Sequence, residues 1–280
     1  MKHFLIILLL LAGNIVIAQN IRVITYNIRY NNPGDGVNAW PNRSNQVSAL
    51  LEFHQADVFG LQEALIGQIE DIHTQLPQMK WVGVGRDDGE KAGEFSPIFY
   101  NSEKFKSLKN GGFWLNEATD HPGLGWDAAC NRVCTWIILK EIKTGTTFIV
   151  FNTHFDHIGM KARTESAKLI LRKIEELNKE NLPVILTGDF NLTPDKEPIS
   201  VITSKLSDSK SLSKQTPYGP EGTFNSFKFD APMKDRIDYV FVNNQVEVLQ
   251  YGVLTDSKDQ RYPSDHQPVL VDLGLKAGKK

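Results

Sequence analysis

Short apolar runs recur along the chain, separated by longer stretches with a different periodicity. The runs are rich in Val, Ile, Phe and Tyr, which is typical of β-strands. Several are continuous rather than alternating, as expected of strands that are buried on both faces. The predicted strands cover residues 21–28, 58–61, 98–100, 135–139, 147–152, 183–187, 237–242, 246–253 and 268–273.

Between these runs, apolar residues return every three or four positions, which is the spacing of an amphipathic helix. This periodicity predicts helices over residues 43–55, 64–76 and 163–180. Both halves of the chain therefore share a strand–helix–strand order. That order predicts an α/β sandwich in which two sheets face each other and helices cover the outside.

Long glycine-rich and polar segments at 31–42, 83–94, 118–131 and 209–222 are predicted to be loops. Loops of this length on a rigid scaffold often shape a binding site.

Polar clusters stand at the ends of several predicted strands. They are Tyr26-Asn27, Gln62-Glu63, Asn152-Thr153-His154-Phe155-Asp156-His157, Thr187-Gly188-Asp189-Phe190-Asn191, Arg236-Ile237-Asp238-Tyr239 and Ser264-Asp265-His266-Gln267-Pro268. Several strands can thus deliver Asn, Asp, Glu and His side chains to one edge of a sheet. That set of side chains suits a hard metal ion and a phosphate group.

The charge pattern restricts the class of partner. The formal net charge is -2 and no block of like charges is present, so the chain has no broad basic surface for nucleic acid. This argues against tight nonspecific binding of nucleic acid, although a nuclease with a locally positive cleft stays open.

The N-terminus has the features of a secretory signal. Lys2 is followed by a Leu-rich apolar run, and Val16 and Ala18 precede a plausible cleavage site before Gln19. We therefore expect residues 1–18 to be a signal peptide, residues 19–280 to form a single domain, and the mature protein to be exported to the periplasm or beyond. No other stretch is apolar for about 20 residues, so no integral membrane span is expected.

Cys130 and Cys134 are the only cysteines. On a strand, positions four apart lie roughly 13 Å from each other, which is too far for a disulfide. In a loop or a helix a disulfide stays possible. Two inert, buried thiols are the favoured interpretation, because two thiols also fall short of a structural zinc site.

Taken together and in this order, the strand-end motifs resemble those of the endonuclease/exonuclease/phosphatase superfamily, which includes deoxyribonuclease-I-like nucleases. They span residues 21–273, and the chain looks similar to a secreted bacterial subgroup without a defined substrate. The resemblance implies a deoxyribonuclease-I-like, four-layer α/β sandwich. It also implies metal-dependent hydrolysis of a phosphate ester.

The candidate metal ligands are oxygen donors. Glu63 ends a predicted strand and is the best single ligand, while Asn27 and Asp265 can share the ion directly or through waters. Carboxylates, an amide and waters are typical of Mg²⁺, and Mn²⁺ can replace it.

The candidate catalytic groups surround this position. Asp189 is predicted to orient and deprotonate the attacking water, and Asn191 to hold the water or a phosphate oxygen. His266 is predicted to contact the scissile phosphate, with a carboxylate partner keeping it protonated. By resemblance, that partner is Asp238. His154 is predicted to face the phosphate from the other side as a donor or general acid.

Three further residues complete the candidate site. By a looser resemblance to nuclease relatives, Glu94 pairs with the histidine at 154. Arg132 precedes a predicted strand and can hold phosphate oxygens with its planar guanidinium. Arg29 can meet a terminal phosphate or another anionic group on a small substrate.

These features predict a secreted, Mg²⁺-dependent hydrolase of a phosphodiester or phosphomonoester, acting as a monomer. A DNA or RNA nuclease, a phospholipid phosphodiesterase and a catalytically silent binding module are the alternatives. The low positive charge favours a small or single-ended phosphate ester over long duplex DNA.

Overall fold

The computed structural model of the protein describes residues 20–276, so the predicted signal peptide lies outside the described residues. The described chain forms two six-stranded sheets. In spatial order, the first contains β11 (Val246–Val253), β12 (Val269–Leu275), β1 (Asn20–Asn27), β2 (Val58–Gln62), β4 (Ile98–Asn101) and β3 (Met79–Val82). The second contains β5 (Phe105–Trp114), β6 (Val133–Glu141), β7 (Thr147–His154), β8 (Val184–Asp189), β10 (Asp238–Val242) and β9 (Ser207–Asp208).

Each sheet has one parallel pair at its centre. In the first sheet β1 runs parallel to β2, and in the second β7 runs parallel to β8. The register places His154 opposite Asp189, and Asp189 opposite Asp238 on the antiparallel neighbour β10. The carboxyl ends of the parallel strands therefore carry the predicted functional residues to one edge of the sandwich.

Helices cover the outer face of each sheet. The helices α1 (Ser44–Phe53) and α2 (Ile66–Gln75) share an apolar cluster with the first sheet, and α3 (Met160–Leu177) and α4 (Glu197–Thr203) share another with the second. A third cluster, which includes Val23 and Val150, fills the space between the sheets. The predicted four-layer α/β sandwich is confirmed.

The predicted strands and the three predicted helices are present with small shifts at their ends. The prediction missed β3, β5, the two-residue β9 and α4, and a one-turn helix, α5 (Ser209–Leu212), begins a segment predicted to be a loop. Strand β5 was missed because much of it is exposed and polar, as at Lys106, Lys109 and Asn110. An apolar pattern does not reveal a partly exposed edge strand of this kind.

A buried amide ties the two sheets together beneath the strand ends. Asn152 of β7 is fully buried, and its Nδ2 donates to Leu61 O at 2.7 Å and to Pro97 O at 2.9 Å. Its Oδ1 accepts hydrogen bonds from Gln62 Nε2 at 2.7 Å and Thr187 Oγ1 at 3.0 Å. Because Leu61 and Gln62 belong to β2, this amide fixes the end of β2 against the end of β7.

Within residues 20–276, no helix is both long enough and apolar enough to cross a bilayer. Cys130 and Cys134 are both free thiols. Cys134 is buried in β6 as predicted, whereas Cys130 is only half-buried, in the loop before β6. The prediction of two buried thiols is therefore wrong for Cys130.

Candidate active site

A cavity of about 600 Å³ opens where the carboxyl ends of β1, β2, β7 and β8 meet. Its lining residues are Arg29, Tyr30, Asp35, Glu63, Arg86, Glu94, Cys130, Arg132, His154, His157, Asp189, Asn191, Phe224, Ser226, Phe227, Ile237, Asp265 and His266. Of the predicted site residues, only Asn27 and Asp238 are absent from this lining. Both are fully buried and contact residues that do line the cavity.

His266 is held by two residues behind the cavity wall. Its Nδ1 lies 2.9 Å from Asp238 Oδ2, and Thr223 Oγ1 donates to the same carboxylate oxygen at 2.6 Å. Burial alone would lower the pKa of His266, but the carboxylates of Asp238 and Asp189 outweigh it and place the pKa well above its ordinary value. His266 is therefore an imidazolium at neutral pH. Its Nδ1–H donates to Asp238, and its Nε2–H is left for an anion.

Asp189 is a buried carboxyl group whose proton affinity is raised. Burial, followed by the nearby Asp238 carboxylate, raises its pKa to about 7, against the opposing effects of His266 and Asn27. Its Oδ2 accepts from Asn27 Nδ2 at 2.9 Å, and its Oδ1 accepts from the Asn191 backbone N–H at 2.8 Å. A carboxyl group poised in this way can accept a proton from water near neutral pH.

His154 is neutral in the free protein. Burial, followed by the charges of Arg132 and Arg86, places its pKa well below the ordinary value. Its Nε2 lies 3.0 Å from Asn191 Nδ2, which also donates to Phe155 O at 3.0 Å. His154 Nε2 therefore accepts from the amide, and the ring proton lies on Nδ1. The predicted role of His154 as a donor or general acid toward the phosphate stays a prediction, because its Nδ1 is buried 3.8 Å from Glu94 Oε2.

Glu94 contacts an arginine more closely than it contacts a histidine. Its Oε2 accepts from Arg86 Nη1 at 2.6 Å and is 3.8 Å from His154 Nδ1. Burial raises the pKa of Glu94. Glu94 and His154 therefore make only a long contact, and Glu94 accepts its hydrogen bond from Arg86.

Glu63 and Asp265 form the acidic part of the site. Glu63 Oε1 accepts from Asn27 Nδ2 at 3.1 Å, and Oε2 accepts from the Tyr30 backbone N–H at 3.2 Å. Burial raises the pKa of Asp265, and Glu63 raises it further. The hydrogen-bonding partner found for the Asp265 side chain within residues 20–276 is Ser264 Oγ, at 3.3 Å.

These residues fit a hard divalent cation. Burial and the nearby Glu63 carboxylate both raise the pKa of Asp265, a cation beside the two carboxylates would oppose that effect, and their oxygens suit Mg²⁺. Asn27 differs from the prediction, because its amide directs Nδ2 toward the carboxylates of Glu63 and Asp189, while Oδ1 accepts from the Arg29 backbone N–H at 3.0 Å. In this arrangement Asn27 orients two carboxylates, and direct ligation through Oδ1 would require its amide to turn.

The two predicted phosphate-binding arginines differ in how their charge is used. Arg29 is committed to Asp35, with Nε and Nη2 donating to the two carboxylate oxygens at 3.0 and 3.1 Å. The prediction that Arg29 is available for an anion is therefore not supported, because a neighbouring loop carboxylate already neutralises it. Arg132 donates through Nη2 to His157 Nδ1 at 3.1 Å, and Asp156 Oδ1 lies 3.7 Å from its Nε, although neither Nε nor Nη1 makes a hydrogen bond within residues 20–276.

Backbone strain is concentrated around the cavity. Five lining residues other than glycine have left-handed φ angles between 51° and 61°, namely Arg29, Glu63, Asn191, Ser226 and Phe227. Such residues are uncommon and typically cluster at functional sites. Glu63 adopts this conformation one residue after β2 ends.

Sequence reasoning gave no role to Thr223 and did not include Arg86 among the candidate site residues. Thr223 lies 15 residues before Asp238 in an irregular segment, and Arg86 lies in the 83–94 loop. Neither residue belongs to a strand-end motif. Only the folded arrangement brings them to His266 and Glu94.

The paired sheets and the strand-end site define a deoxyribonuclease-I-like fold with a phosphoesterase-type cavity. The model of the Endonuclease/Exonuclease/phosphatase family matches residues 24–266, and the chain belongs to that family. Its members are hydrolases that act on phosphate esters.

Solved structures from Bacteroides thetaiotaomicron are similar over nearly the whole chain. A mannosyl-6-phosphatase is 41% identical, with a TM-score of 0.88, covering 91% of this chain and 100% of its own. An endonuclease/exonuclease/phosphatase family protein is 40% identical, with a TM-score of 0.88, covering 92% of this chain and 98% of its own. The RNA exonuclease NGL1 of Saccharomyces cerevisiae is 23% identical over 81% of this chain and 82% of its own length.

Proposed function

We propose that this protein is an exported, Mg²⁺-dependent phosphoesterase that hydrolyses a small phosphate ester, with a sugar phosphate as the first substrate class to test. The observation that carries the proposal is the convergence of functional groups on one cavity. There, a carboxyl group with a pKa of about 7, a buried imidazolium and an acidic pair suited to a cation lie together.

The residues divide the reaction between them. A water oxygen forms a bond to phosphorus while its proton passes to Asp189, and Asn191 Oδ1 accepts a hydrogen bond from the same water. His266 Nε2–H donates to a phosphate oxygen and stabilises the charge that develops there. The bond from phosphorus to the ester oxygen breaks, and that oxygen takes up a proton as it leaves.

A divalent cation held by Glu63 and Asp265 would neutralise charge on the phosphate. Asn27 connects the proposed cation ligand Glu63 with the proposed base Asp189, because its Nδ2 donates to both carboxylates. His154 lies on the other side of Asp189, with Nε2 at 3.5 Å from Asp189 Oδ2. Its ring is neutral, so His154 adds no second cation beside His266.

The size and charge of the site favour a small substrate. A cavity of about 600 Å³ has the volume of a small-molecule site. Duplex DNA is typically gripped through roughly six to ten phosphate contacts, whereas the net charge here is -2 and Arg29 is neutralised by Asp35. The similar mannosyl-6-phosphatase of Bacteroides thetaiotaomicron makes hexose phosphates the natural starting point.

The test is a substrate panel with purified residues 19–280 and Mg²⁺. Mannose 6-phosphate, glucose 6-phosphate, a nucleoside monophosphate, a short RNA, sphingomyelin and supercoiled plasmid are compared by kcat/KM, with Asp189→Asn as the inactive control. We expect a hexose phosphate to exceed the nucleic acids and the lipid. Faster turnover of plasmid at about 150 mM salt, or of sphingomyelin, would contradict the small-ester proposal.

An RNA exonuclease is the second candidate, because similarity to the yeast RNA exonuclease extends over most of both chains. It predicts stepwise shortening of a single-stranded RNA from one end. A time course on end-labelled RNA in the same assay separates the two activities. Faster turnover of RNA than of every sugar phosphate would favour this candidate.

The export part of the proposal depends on residues 1–18 and is tested separately. Mass spectrometry of the native protein is expected to show an N-terminus near Gln19. An intact Met1 on protein recovered from the cytoplasm would refute export without affecting the proposed chemistry.

A further inference from the structure

Thr223 is a fully buried residue whose hydroxyl group has a single possible orientation. Its Oγ1 accepts from the backbone N–H groups of Ile237 and Asp238 at 3.1 and 3.2 Å, and it donates to Asp238 Oδ2 at 2.6 Å. A hydroxyl group has one proton and two lone pairs. Because the two N–H groups occupy the lone pairs, the hydroxyl proton can only point at the Asp238 carboxylate.

The same carboxylate oxygen holds the ring of His266. His266 Nδ1 lies 2.9 Å from Asp238 Oδ2, and because a carboxylate oxygen accepts, the proton of this contact lies on Nδ1. The other ring nitrogen, Nε2, lies 3.8 Å from Asp189 Oδ2. Asp238 Oδ1 is buried and has no hydrogen-bond partner within residues 20–276. The two side-chain donors to the Asp238 carboxylate therefore both meet Oδ2, and Thr223 supplies one of them.

The backbone of Thr223 contacts the segments that carry both partners of this pair. Its N–H donates to Asp235 O at 2.9 Å, and its carbonyl oxygen accepts from the Gln267 N–H at 2.6 Å. The next residue, Phe224, lines the cavity, and its ring centre lies 4.8 Å from that of His266. None of these contacts uses the Thr223 side chain. A substitution that removes only the hydroxyl group therefore tests its contact with Asp238.

We propose that Thr223 is a positioning residue for the hydrolysis, because its hydroxyl proton holds the Asp238 carboxylate that in turn holds the His266 ring. The inference rests on the proposed function and adds a residue that acts through Asp238, since Thr223 itself does not line the cavity. Groups that act on a substrate have to be held within about 0.5 Å of the productive geometry by hydrogen bonds from the residues behind them. Loss of the hydroxyl is therefore expected to lower kcat more than it changes KM.

The kinetic test compares variants with and without the hydroxyl group on p-nitrophenyl phosphate. Thr223→Val keeps the shape of the side chain, Thr223→Ala is a second variant that lacks the hydroxyl, and Thr223→Ser retains it. Thr135→Val is the matched control, because Thr135 is also buried but its hydroxyl has no partner in the described part of the chain.

A hydrogen bond to a charged group corresponds to a change of about tenfold or more. We therefore expect Thr223→Val and Thr223→Ala to lower kcat by about tenfold or more and to change KM by less than about threefold. Thr223→Ser and Thr135→Val are expected to keep kcat within about threefold of the wild type. Wild-type kcat in a folded variant without the hydroxyl, or no recovery in Thr223→Ser, would overturn the inference.

A double-mutant cycle separates positioning from a general effect on the fold. Once His266 is removed, the Thr223 hydroxyl has no ring to hold through Asp238. Adding Thr223→Val to His266→Ala is therefore expected to lower kcat/KM by less than about twofold, because residues of one hydrogen-bond network are not additive. A further loss as large as the one in the wild-type background would show an independent structural effect and would overturn the inference.

Nuclear magnetic resonance provides a test that does not depend on turnover. The His266 Nδ1–H proton is identified by its loss in His266→Ala, and all variants are compared at one pH. Thr223→Ser and Thr135→Val are expected to keep its resonance, whereas folded Thr223→Val is expected to shift it or lose it through faster exchange. An unchanged resonance in folded Thr223→Val would overturn the inference. Failure of the wild type to hydrolyse any ester would refute the proposed function, and this comparison would still decide whether Thr223 holds the His266 ring.

Discussion

Removing the buried amide of Asn152 should both destabilise the protein and reduce its activity. Asn152→Ala removes four hydrogen bonds that connect β7 with β2, β8 and the segment before β4. The space around the amide is tight, since a Cβ placed on Gly60 would lie 2.5 Å from the Asn152 side chain.

The magnitude follows from the four bonds. Each buried hydrogen bond contributes about 1 kcal/mol net, which gives about 4 kcal/mol for the set. Some of the former partners keep other bonds: Pro97 O still accepts from Leu61 N at 3.1 Å, and Gln62 Nε2 still donates to Thr25 Oγ1 at 3.1 Å. Because both groups keep a hydrogen bond, the substitution adds no desolvation penalty for an unsatisfied polar group at either of them. The expected loss in the free energy of unfolding is about 4 kcal/mol.

Urea unfolding followed by tryptophan fluorescence measures this loss, with Asn110→Ala as the control. Asn110 is exposed on β5, and its substitution is expected to change the free energy of unfolding by no more than about 0.5 kcal/mol. Activity should be compared well below the unfolding midpoint, where misplacement of Glu63 relative to His154 is expected to lower kcat by up to about 100-fold. A loss below about 1 kcal/mol, with wild-type turnover, would refute the role assigned to the Asn152 bonds.

Three other predictions concern the site. Asp189→Asn and His266→Ala are each expected to lower kcat/KM by at least about 100-fold while circular dichroism shows an intact fold, and near-wild-type turnover of either variant would contradict its role. Thorough chelation is expected to abolish hydrolysis, and Mg²⁺ or Mn²⁺ to restore it; full activity after chelation would rule out a cation at Glu63. Burial alone would raise the pKa of Asp156, but hydrogen bonds from Gly159 and other backbone groups outweigh it and hold the pKa below its ordinary value. Asp156 therefore stabilises the fold above about pH 4 and loses this effect as pH falls through its folded pKa, so urea unfolding of Asp156→Asn should show a deficit at pH 7 that shrinks on acidification.

The strand ends were predictable from the sequence because they combine two strong signals. A continuous apolar run indicates a buried strand, and the polar residues that follow it must lie at the edge of the sheet. Asn27 and Asp189 were placed in this way, His266 was placed just before a predicted strand, and the family resemblance added the partnership between Asp238 and His266. The structure shows that contact at 2.9 Å.

The loop contacts were not predictable for an equally physical reason. Arg29 and Asp35 are six residues apart in an irregular segment, and only the 3₁₀ turn at Pro33–Asn38 brings the carboxylate onto the guanidinium. The hydrogen bond between Arg86 and Glu94 likewise depends on how the 83–94 loop folds back on itself. No periodic pattern encodes contacts of this kind. The carboxylate that pairs with Arg29 or with Arg86 is therefore known only from the structure.

The residues proposed to perform the hydrolysis lie at or near strand ends, whereas other residues that line the cavity come from loops. Asp189 ends β8, Asn191 follows it by two residues and His266 shortly precedes β12, so they are expected to perform the same hydrolysis in any chain that keeps these strands. Arg86 and Arg132 line the same cavity from irregular segments, where Arg86 donates to Glu94 and Arg132 lies beside Asp156. We therefore expect relatives that keep these strand ends to share the reaction and to differ in substrate where these loops differ.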